Sequence, residues 1–386
     1  MTALAWPAPA WRERWLQLRG HWSRLRDRCV ADPGFRSAAS RFAPTRPLAR
    51  RQAGELFDLM AGFVYSQVLH ACVQLELFDR LRRAPLDATT LAAEGALSEP
   101  AATRLLEAAA VLELVERRAG DPPRYGLGRL GAALVDNPAL AALVRHHAAL
   151  YADLADPLAL LRAPRGSARL ARYWAYATAP EPGHLPPADV SAYSAVMSSS
   201  QALIADQVLD AYPVARHRCL LDVGGGEGAF LARALARAPA LRGMLVDLPA
   251  VVHTASARLA QQGLGARVTL HGGDFKRTPL PPGADLVSLV RVLYDHDDAP
   301  ALALLRAVHA ALPPGGTVLV AEPMADTPGA ERMGAAYFGL YLHAMGSGRV
   351  RSAAEHAALL RAAGFQAVRE RRTALPLQTG LVVARA

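Results

Sequence analysis

The run Leu220-Leu221-Asp222-Val223-Gly224-Gly225-Gly226-Glu227-Gly228 constrains this chain more than any other stretch. It reads as a buried strand that ends on an acidic residue, breaks into glycines and enters a helix at about 227–238. Glycine lets backbone approach a ligand with no Cβ in the way, and a helix N-terminus leaves amide N–H groups free. A second strand, ending at Val246, is followed by Asp247, a carboxylate spaced to accept hydrogen bonds from a ribose. Together these features predict a nucleoside cofactor.

Two cofactor patterns compete at this loop. Gly224, Gly226 and Ala229 satisfy the dinucleotide spacing G-x-G-x-x-A, a weak signal alone. Gly224, Gly226 and Gly228 satisfy G-x-G-x-G, with Asp222 two residues ahead. The second pattern resembles the first motif of S-adenosylmethionine-dependent methyltransferases. The resemblance implies that Asp222 and the turn Gly224, Gly225 and Gly226 hold the methionine part of the cofactor. It implies further that Asp247 with Leu248 serves the ribose, and that Asp274 and Phe275 meet the adenine amino group and ring face. On the residues alone, Asp274 could equally begin a turn and Phe275 belong to the core.

Strands at about 219–223, 242–247, 267–271, 285–293 and 317–322 alternate with helices at about 227–238, 250–262 and 299–311. Such alternation predicts a doubly wound, Rossmann-like parallel sheet with helices on both faces. Leu302, Leu305, Val308 and Leu312 form the expected buried stripe of the last helix. Strands at about 366–372 and 379–384 are too close for a crossover helix and predict an antiparallel hairpin at the sheet edge.

From about Leu48 to Asn137 the pattern is helical with a small wing. A long helix is expected over Gln52–Arg82, a short one from Thr90, and a third capped at Ser98 and running to Val115. This outlines a winged helix, which makes a transcription regulator the rival hypothesis. The would-be recognition helix, Pro100–Glu113, sets Arg104 against Glu107 and Glu113, too little positive charge to read phosphates. Dimerisation is the expected use, with no nucleic acid partner. Between Leu140 and Ala188 prolines break the helical pattern, and Tyr173, Trp174 and Tyr176 could line a pocket or simply pack. A helix over Ala192–Ala211 places Tyr193, Met197, Ser200 and Ile204 on about one face. The expected domains are a basic arm over 1–47, a winged-helix-like dimerisation domain over 48–190 and a cofactor-binding catalytic domain over 191–386.

Charge singles out the arm. Residues 1–51 hold eleven arginines against Glu13, Asp27 and Asp32, nearly all of the net charge of +9. Trp11, Trp15, Leu18, Trp22 and Leu25 follow helical spacing, flanked by arginines. Over residues 6–28 this suits a helix lying in an anionic membrane interface. An arm packed on a partner subunit, or a disordered basic tail, fits the same residues. No apolar run is expected to cross a bilayer, because Arg or Asp interrupts each candidate. Cys29, Cys72 and Cys219 are isolated and odd in number, which suits a reducing cytoplasm and no metal site.

Over about residues 50–386 the chain resembles the O-methyltransferases typified by plant caffeate and animal acetylserotonin enzymes. The shared features are the Asp-Val-Gly-Gly-Gly loop, Val-Asp-Leu-Pro at 246–249, Gly-Asp-Phe at 273–275 and the strand 315–322. The segments 291–298 (Arg-Val-Leu-Tyr-Asp-His-Asp-Asp) and 345–352 (Met-Gly-Ser-Gly-Arg-Val-Arg-Ser) are similar to carotenoid hydroxyl O-methyltransferases of purple photosynthetic bacteria. That resemblance implies a homodimer methylating the tertiary C-1 hydroxyl of an acyclic carotenoid, and adds Arg291 to the cofactor-binding residues. Other hydrophobic acceptors, such as a quinone, polyketide or phenol, remain open. Phenol-methylating relatives carry a histidine base where this chain has Tyr294, followed by the retained acid Asp295. Tyrosine, with an ordinary pKa of ~10, is a poor base but a useful positioner. His296 could supply the base if turned inward, or could lie on the surface. Glu322 matches a family glutamate that orients the base. His343 and Met345 are further candidate pocket walls, and the displacement itself needs no metal.

Overall fold

The computed structural model describes residues 10–174, 201, 203–376 and 379–386. Contacts divide the chain into one unit ending at Gly131 and a second beginning at Ala132, whereas the sequence pattern changes near 190. Helices after Asn137 therefore group with the sheet.

The first unit opens with α1 (Ala10–Ala31), α2 (Pro33–Arg41) and α3 (Arg46–Gln74). Asp32 caps α2 by accepting a hydrogen bond from the Phe35 amide at 2.6 Å. The helix expected to reach Arg82 stops at Gln74, because Glu76 adopts a left-handed conformation with φ of 51° before α4 (Leu77–Arg83) begins. Next come α5 (Ala88–Gly95), α6 (Glu99–Val111) and the antiparallel pair β1 (Val115–Arg118) and β2 (Arg124–Leu127). Asp87 and Ser98 cap α5 and α6, so α5 starts two residues earlier than Thr90. The third helix ends at Val111, since Val115 is already in the wing. Leu77, Phe78, Leu91, Leu106 and Val115 are each buried within this unit.

Its N-terminal half is far less covered. Trp15, Leu18, Trp22 and Leu25 on α1 are all more than half exposed, as are Leu56, Phe57, Met60 and Phe63 on α3. Trp6 and the side chain of Trp11 lie outside the described residues. Contrary to the sequence expectation, α3 is long and apolar enough to cross a membrane by length and composition, and little of its apolar stretch is buried. The reason is that no Asp, Glu, Lys or Arg occurs between Asp58 and the end of α3.

The second unit begins with α7 (Pro138–Asp153), α8 (Pro157–Arg162) and α9 (Arg169–Tyr173). Tyr176, Tyr193, Met197 and Ser200 fall outside the described residues. The helix α10 (203–211) leads into β3 (Cys219–Val223), α11 (Ala229–Arg237), β4 (Arg242–Asp247), α12 (Pro249–Gln261) and β5 (Val268–Gly272). Then follow β6 (Leu286–Val290), α13 (Asp298–Ala311), β7 (Thr317–Glu322), β8 (Met324–Ala325), the π-helical segment Arg332–Phe338 and α14 (Gly339–Met345). The chain closes with β9 (Arg351–Ser352), α15 (Ala353–Ala362), β10 (Gln366–Arg371) and β11 (Gly380–Arg385).

Seven strands form the main sheet in the order β10-β11-β7-β6-β3-β4-β5. The five from β7 to β5 are parallel, and β11 runs antiparallel between β7 and β10. The expected hairpin is present, with only β10 at the edge. Strand order reverses between β3 and β6, so the loops after these strands open a crevice where ligands of such sheets bind. On one face α13 packs through Ala301, Leu304, Leu305 and Val308; Leu304 takes the place expected for Leu302, which is only half-buried. On the other face α11 contributes Phe230, Leu231, Ala234 and Leu235, and α10 contributes Ile204 and Val208. Complete burial of each large side chain contributes roughly 1.5–3 kcal/mol, and this packing holds the strand ends in register.

Candidate active site

At the end of β3 the backbone turns left-handed three times, with φ of 67° at Gly224, 57° at Gly226 and 80° at Gly228. The Gly224 amide donates to the Val246 carbonyl at 2.8 Å, fastening the turn to β4. A Cβ on Gly224 would strike Val292 at 2.8 Å, whereas one on Gly226 would meet nothing within 4 Å. Open space over a left-handed glycine is what a ligand lying on bare backbone requires.

Two acids bracket this turn. Asp247 accepts from the Gly226 amide through Oδ2 and from the Leu248 amide through Oδ1, each at 2.7 Å. Burial pushes its pKa up to about 6 despite those amides. Each oxygen keeps further lone-pair capacity for a ribose hydroxyl. Asp222 is 1% exposed, and its Oδ1 accepts from the Ser288 hydroxyl at 2.6 Å across the β3–β6 pair. Burial raises its pKa to about 7, against the Ser288 hydrogen bond and with added repulsion from Asp247. Its Oδ2 has no partner among the described residues, and a Cβ on Gly225 would come within 2.7 Å of it. A buried carboxylate beside an open glycine turn suits a cationic ligand. S-adenosylmethionine, with its ammonium and sulfonium charges, fits that arrangement.

The turn after β6 carries the expected catalytic residues. Arg291 has φ of 58°, and its amide donates to the Ala321 carbonyl of β7 at 2.8 Å. A single 3-10 turn, Leu293–Asp295, follows. Glu322 is fully buried beneath it, with Oε1 accepting from the Val292 and Leu293 amides at 3.0 and 2.7 Å. Among the described residues Glu322 bonds to backbone amides and to no imidazole, so what it holds in place is the turn itself. Burial raises its pKa to about 8, which leaves it mostly protonated at neutral pH.

Arg351 was not singled out in the sequence. Its fully buried guanidinium donates to the Leu293 carbonyl at 2.8 Å and the His296 carbonyl at 2.7 Å, and Nε donates to Asp298 at 2.9 Å. Ser347 donates to the Asp295 carbonyl at 2.9 Å, and Gly348 lies so close to Tyr294 and Asp295 that any Cβ would collide with their backbone. The segment 345–352 therefore clamps the turn from one side while Glu322 holds it from below.

So held, the turn sends its side chains to different neighbours. Tyr294, 4% exposed, packs among Trp174, Tyr341 and Met345 and lies edge-on to Phe338 at 6.1 Å. His296 is 6% exposed, which removes the surface alternative, and lies edge-on to Phe275 at 5.8 Å. Phe275 reaches back to the glycine turn, 3.7 Å from where a Gly224 Cβ would sit. Burial first, then Lys276 and Arg351, lower the His296 pKa to about 3. The imidazole is neutral and weakly basic, on the side of the turn nearest the glycines. Asp295 is buried. The Asp274 side chain accepts from the Lys276 amide at 2.9 Å, the geometry of a turn former. Of the candidate walls, Met345 belongs to the Tyr294 cluster, and His343 reaches the Leu160 carbonyl at 3.3 Å.

This fold and crevice are those of a methyl-transferring enzyme, and comparison with known proteins agrees. Residues 183–366 match the O-methyltransferase domain family and residues 57–137 the O-methyltransferase dimerisation domain. The chain belongs to the S-adenosylmethionine-dependent O-methyltransferases. It is 42% identical over 347 residues to demethylspheroidene O-methyltransferase of Cereibacter sphaeroides, covering 90% of each chain. It is 34% identical to acetylserotonin O-methyltransferase of Mus musculus, covering 82% of this chain and 84% of that one. The solved structure of mitomycin 7-O-methyltransferase superposes with a TM-score of 0.71 at 27% identity, covering 88% of this chain and all of that one. Human N-acetylserotonin methyltransferase, solved with S-adenosylmethionine, gives 0.71 at 24% identity over 86% of this chain and 97% of that one, a likeness of fold.

Proposed function

We propose that this chain methylates the tertiary C-1 hydroxyl of an acyclic hydroxycarotenoid. The observation that carries the reading is Tyr294. It stands where the phenol-methylating relatives carry a histidine base, and it packs into a wall of aromatic side chains. Two curated relatives, at 42% and 39% identity, are demethylspheroidene O-methyltransferases. A tertiary alcohol is a far weaker acid than a phenol, so no side chain can hold it as free alkoxide near neutral pH. S-adenosylmethionine supplies an already activated methyl group. The residues of this chain then have to align the acceptor oxygen in line with the departing sulfur and exclude water. Asp222 and the Gly224–Gly226 turn would bind the methionine end, Asp247 and Leu248 the ribose, and Phe275 the adenine face. Asp274 and Arg291 belong to the same proposed set. Tyr294 positions the hydroxyl and Asp295 sits beside it. The hydroxyl proton leaves only as the new oxygen–methyl bond makes that oxygen strongly acidic, when even the weakly basic His296 can accept it; until then His296 completes the wall between acceptor and cofactor.

The exposed apolar face of α3 at Leu56, Phe57, Met60 and Phe63 leads into the dimerisation match and supports a homodimer. The half-exposed Trp15, Leu18, Trp22 and Leu25, in a segment dense with arginine, support attachment of residues 6–28 to an anionic membrane on its cytoplasmic side, where a carotenoid would be collected. A second acceptor class stays in view because relatives at 31% and 29% identity are a naphthoate 3-O-methyltransferase and a mitomycin 6-O-methyltransferase.

The test is to incubate the protein with methyl-labelled S-adenosylmethionine and a panel of hydroxycarotenoids, phenols and quinones. Label in the hydroxycarotenoids is expected. Label confined to phenols or quinones would replace the acceptor assignment, and label in none would favour a regulator that keeps the fold without the activity.

A further inference from the structure

We infer that the aromatic cluster adjoining Tyr294 seats the conjugated chain of the acceptor, and that two histidine–tyrosine pairs fix the rings that form this seat. The inference rests on the reading above that the acceptor is a hydroxylated polyene. The π-helical segment Arg332–Phe338 passes directly into α14, and π-turns recur at functional sites. Tyr337 and Tyr341, one on each side of that junction, are both tied to α7. The Tyr337 hydroxyl lies 2.6 Å from His147 Nε2, and the Tyr341 hydroxyl 2.6 Å from His146 Nε2. Trp174 Nε1 donates to the Tyr341 hydroxyl at 2.9 Å.

Proton placement follows from the partners. The Leu143 carbonyl, 2.5 Å from His147 Nδ1, can only accept, so Nδ1 carries the hydrogen. With Nδ1 so occupied, Nε2 is the atom left to meet the Tyr337 hydroxyl. His146 is held neutral, because burial first and the neighbouring His147 second lower its pKa to about 4. Both phenols thus turn their polar ends toward imidazoles of one helix, and what they offer a ligand is ring carbon.

The rings run on to the catalytic turn. Tyr337 stands 4.9 Å from Phe338 and 5.8 Å from Tyr341, and Phe338 stands 6.1 Å from Tyr294. Tyr337, Phe338 and His147 are half-buried, whereas Tyr294 at the other end is 4% exposed. A flat, rigid apolar chain laid along such rings gains dispersion contacts on surfaces already immobilised, so little side-chain entropy is lost on binding. Its hydroxyl end would stop at Tyr294. A short acceptor bearing the same tertiary alcohol would touch Tyr294 alone.

The experiment compares wild type with Tyr337→Ala and His147→Ala. It uses a hydroxylated acyclic polyene in detergent, a truncated tertiary alcohol with the same end group, and the corresponding polyene without the hydroxyl. Each variant is expected to raise KM for the long acceptor about tenfold, the size of a lost ring contact. Turnover of the truncated alcohol and affinity for S-adenosylmethionine should not change. Binding of the hydroxyl-free polyene, read from its absorbance shift, should weaken by a similar factor, a readout that does not depend on methyl transfer. Unchanged polyene binding in both variants, or equal losses for long and short acceptors, would overturn the inference. Wild-type protein that binds the hydroxyl-free polyene yet methylates no polyene alcohol would overturn the acceptor reading and leave the seat standing.

Discussion

Arg351 Nη1 donates to the Leu293 carbonyl at 2.8 Å from a fully buried guanidinium, although the two residues lie 58 positions apart in the chain. With a second bond to the His296 carbonyl, one side chain spans the turn on which Tyr294 and His296 ride. Arg351→Met would strand both carbonyls, while Asp298 keeps Arg349, and a buried acceptor left without its donor typically costs about 1–3 kcal/mol. Arg351→Lys keeps the charge but cannot fork between two carbonyls. We expect it to remain folded and to bind S-adenosylmethionine normally while kcat falls. Chemical denaturation and steady-state kinetics check both outcomes, and wild-type kcat in the lysine variant would separate the clamp from catalysis.

Asp222 links cofactor binding to pH. Its pKa is raised to about 7 in the folded protein, so below neutral pH the carboxyl is increasingly protonated and offers no charge to an ammonium or sulfonium. Affinity for S-adenosylmethionine should therefore rise with pH until about 7 and then level, with a limiting slope of about tenfold per pH unit. Folding stability without cofactor runs the other way. The raised pKa favours the protonated folded state, so stability falls as pH climbs from the ordinary carboxyl range through about 7. Calorimetry across that window measures the first trend and thermal melts the second. Asp222→Asn should weaken cofactor binding and reduce both trends without abolishing them, since burial raises Asp247 and Glu322 as well.

The glycine turn and Asp247 can be tested apart from catalysis. Gly226→Val places a branched side chain at φ of 57°, where such residues are strained, in the space that the ligand would fill. Asp247→Ala releases the Gly226 and Leu248 amides and a ribose partner, and should weaken cofactor binding by about 1.5–3 kcal/mol. Titration calorimetry showing unchanged affinity in both variants would move the cofactor site elsewhere.

Variants of Tyr294 and His296 separate alignment from general-base catalysis as the source of rate. With an imidazole pKa of about 3, kcat at saturating cofactor should stay flat from about pH 8 down to about pH 5. Tyr294→Phe should lower kcat at least as much as His296→Ala does. A loss of ~10²–10⁴-fold in His296→Ala alone, the usual worth of a general base, would reassign that role to His296.

Removing residues 1–40 should leave a folded protein that binds S-adenosylmethionine as before. Sedimentation with anionic liposomes should drop, and for the full-length protein it should weaken as salt screens the arginines. Equal sedimentation with and without the arm would indicate that Trp15 and Trp22 pack on protein instead.

What could be read from the sequence follows the range of the interactions. β3, β4 and β7 begin and end where expected because their apolar runs are bounded by glycine, proline or an acid. The glycine turn was visible for the same reason, since left-handed backbone at Gly224 and Gly226 leaves a compositional mark. Glu76 takes the same conformation without being glycine, so the break between α3 and α4 left no mark. Arg351 was hidden because its partners at 293 and 296 are backbone carbonyls, which carry no residue identity. The His147–Tyr337 and His146–Tyr341 pairs were equally illegible, as nothing local in α7 announces a phenol far along the chain. Leu304 replaced Leu302 in the core because α13 is rotated slightly from the face that leucine spacing alone suggested.

The place of β11 has a consequence for how the enzyme is made. Gly380 pairs with Glu322 and Arg385 with Thr317, so during synthesis β7 is a bare hydrogen-bonding edge until residues 380–385 have left the ribosome. Glu322, which steadies the turn at 292–293, sits at the end of that edge. A nascent chain halted before β11 would hold the whole cofactor crevice yet present an all-apolar strand, Val318 to Ala321, to any passing neighbour. Stalled or prematurely terminated products should consequently be chaperone clients and aggregate, even though every residue proposed to touch the cofactor has already been translated.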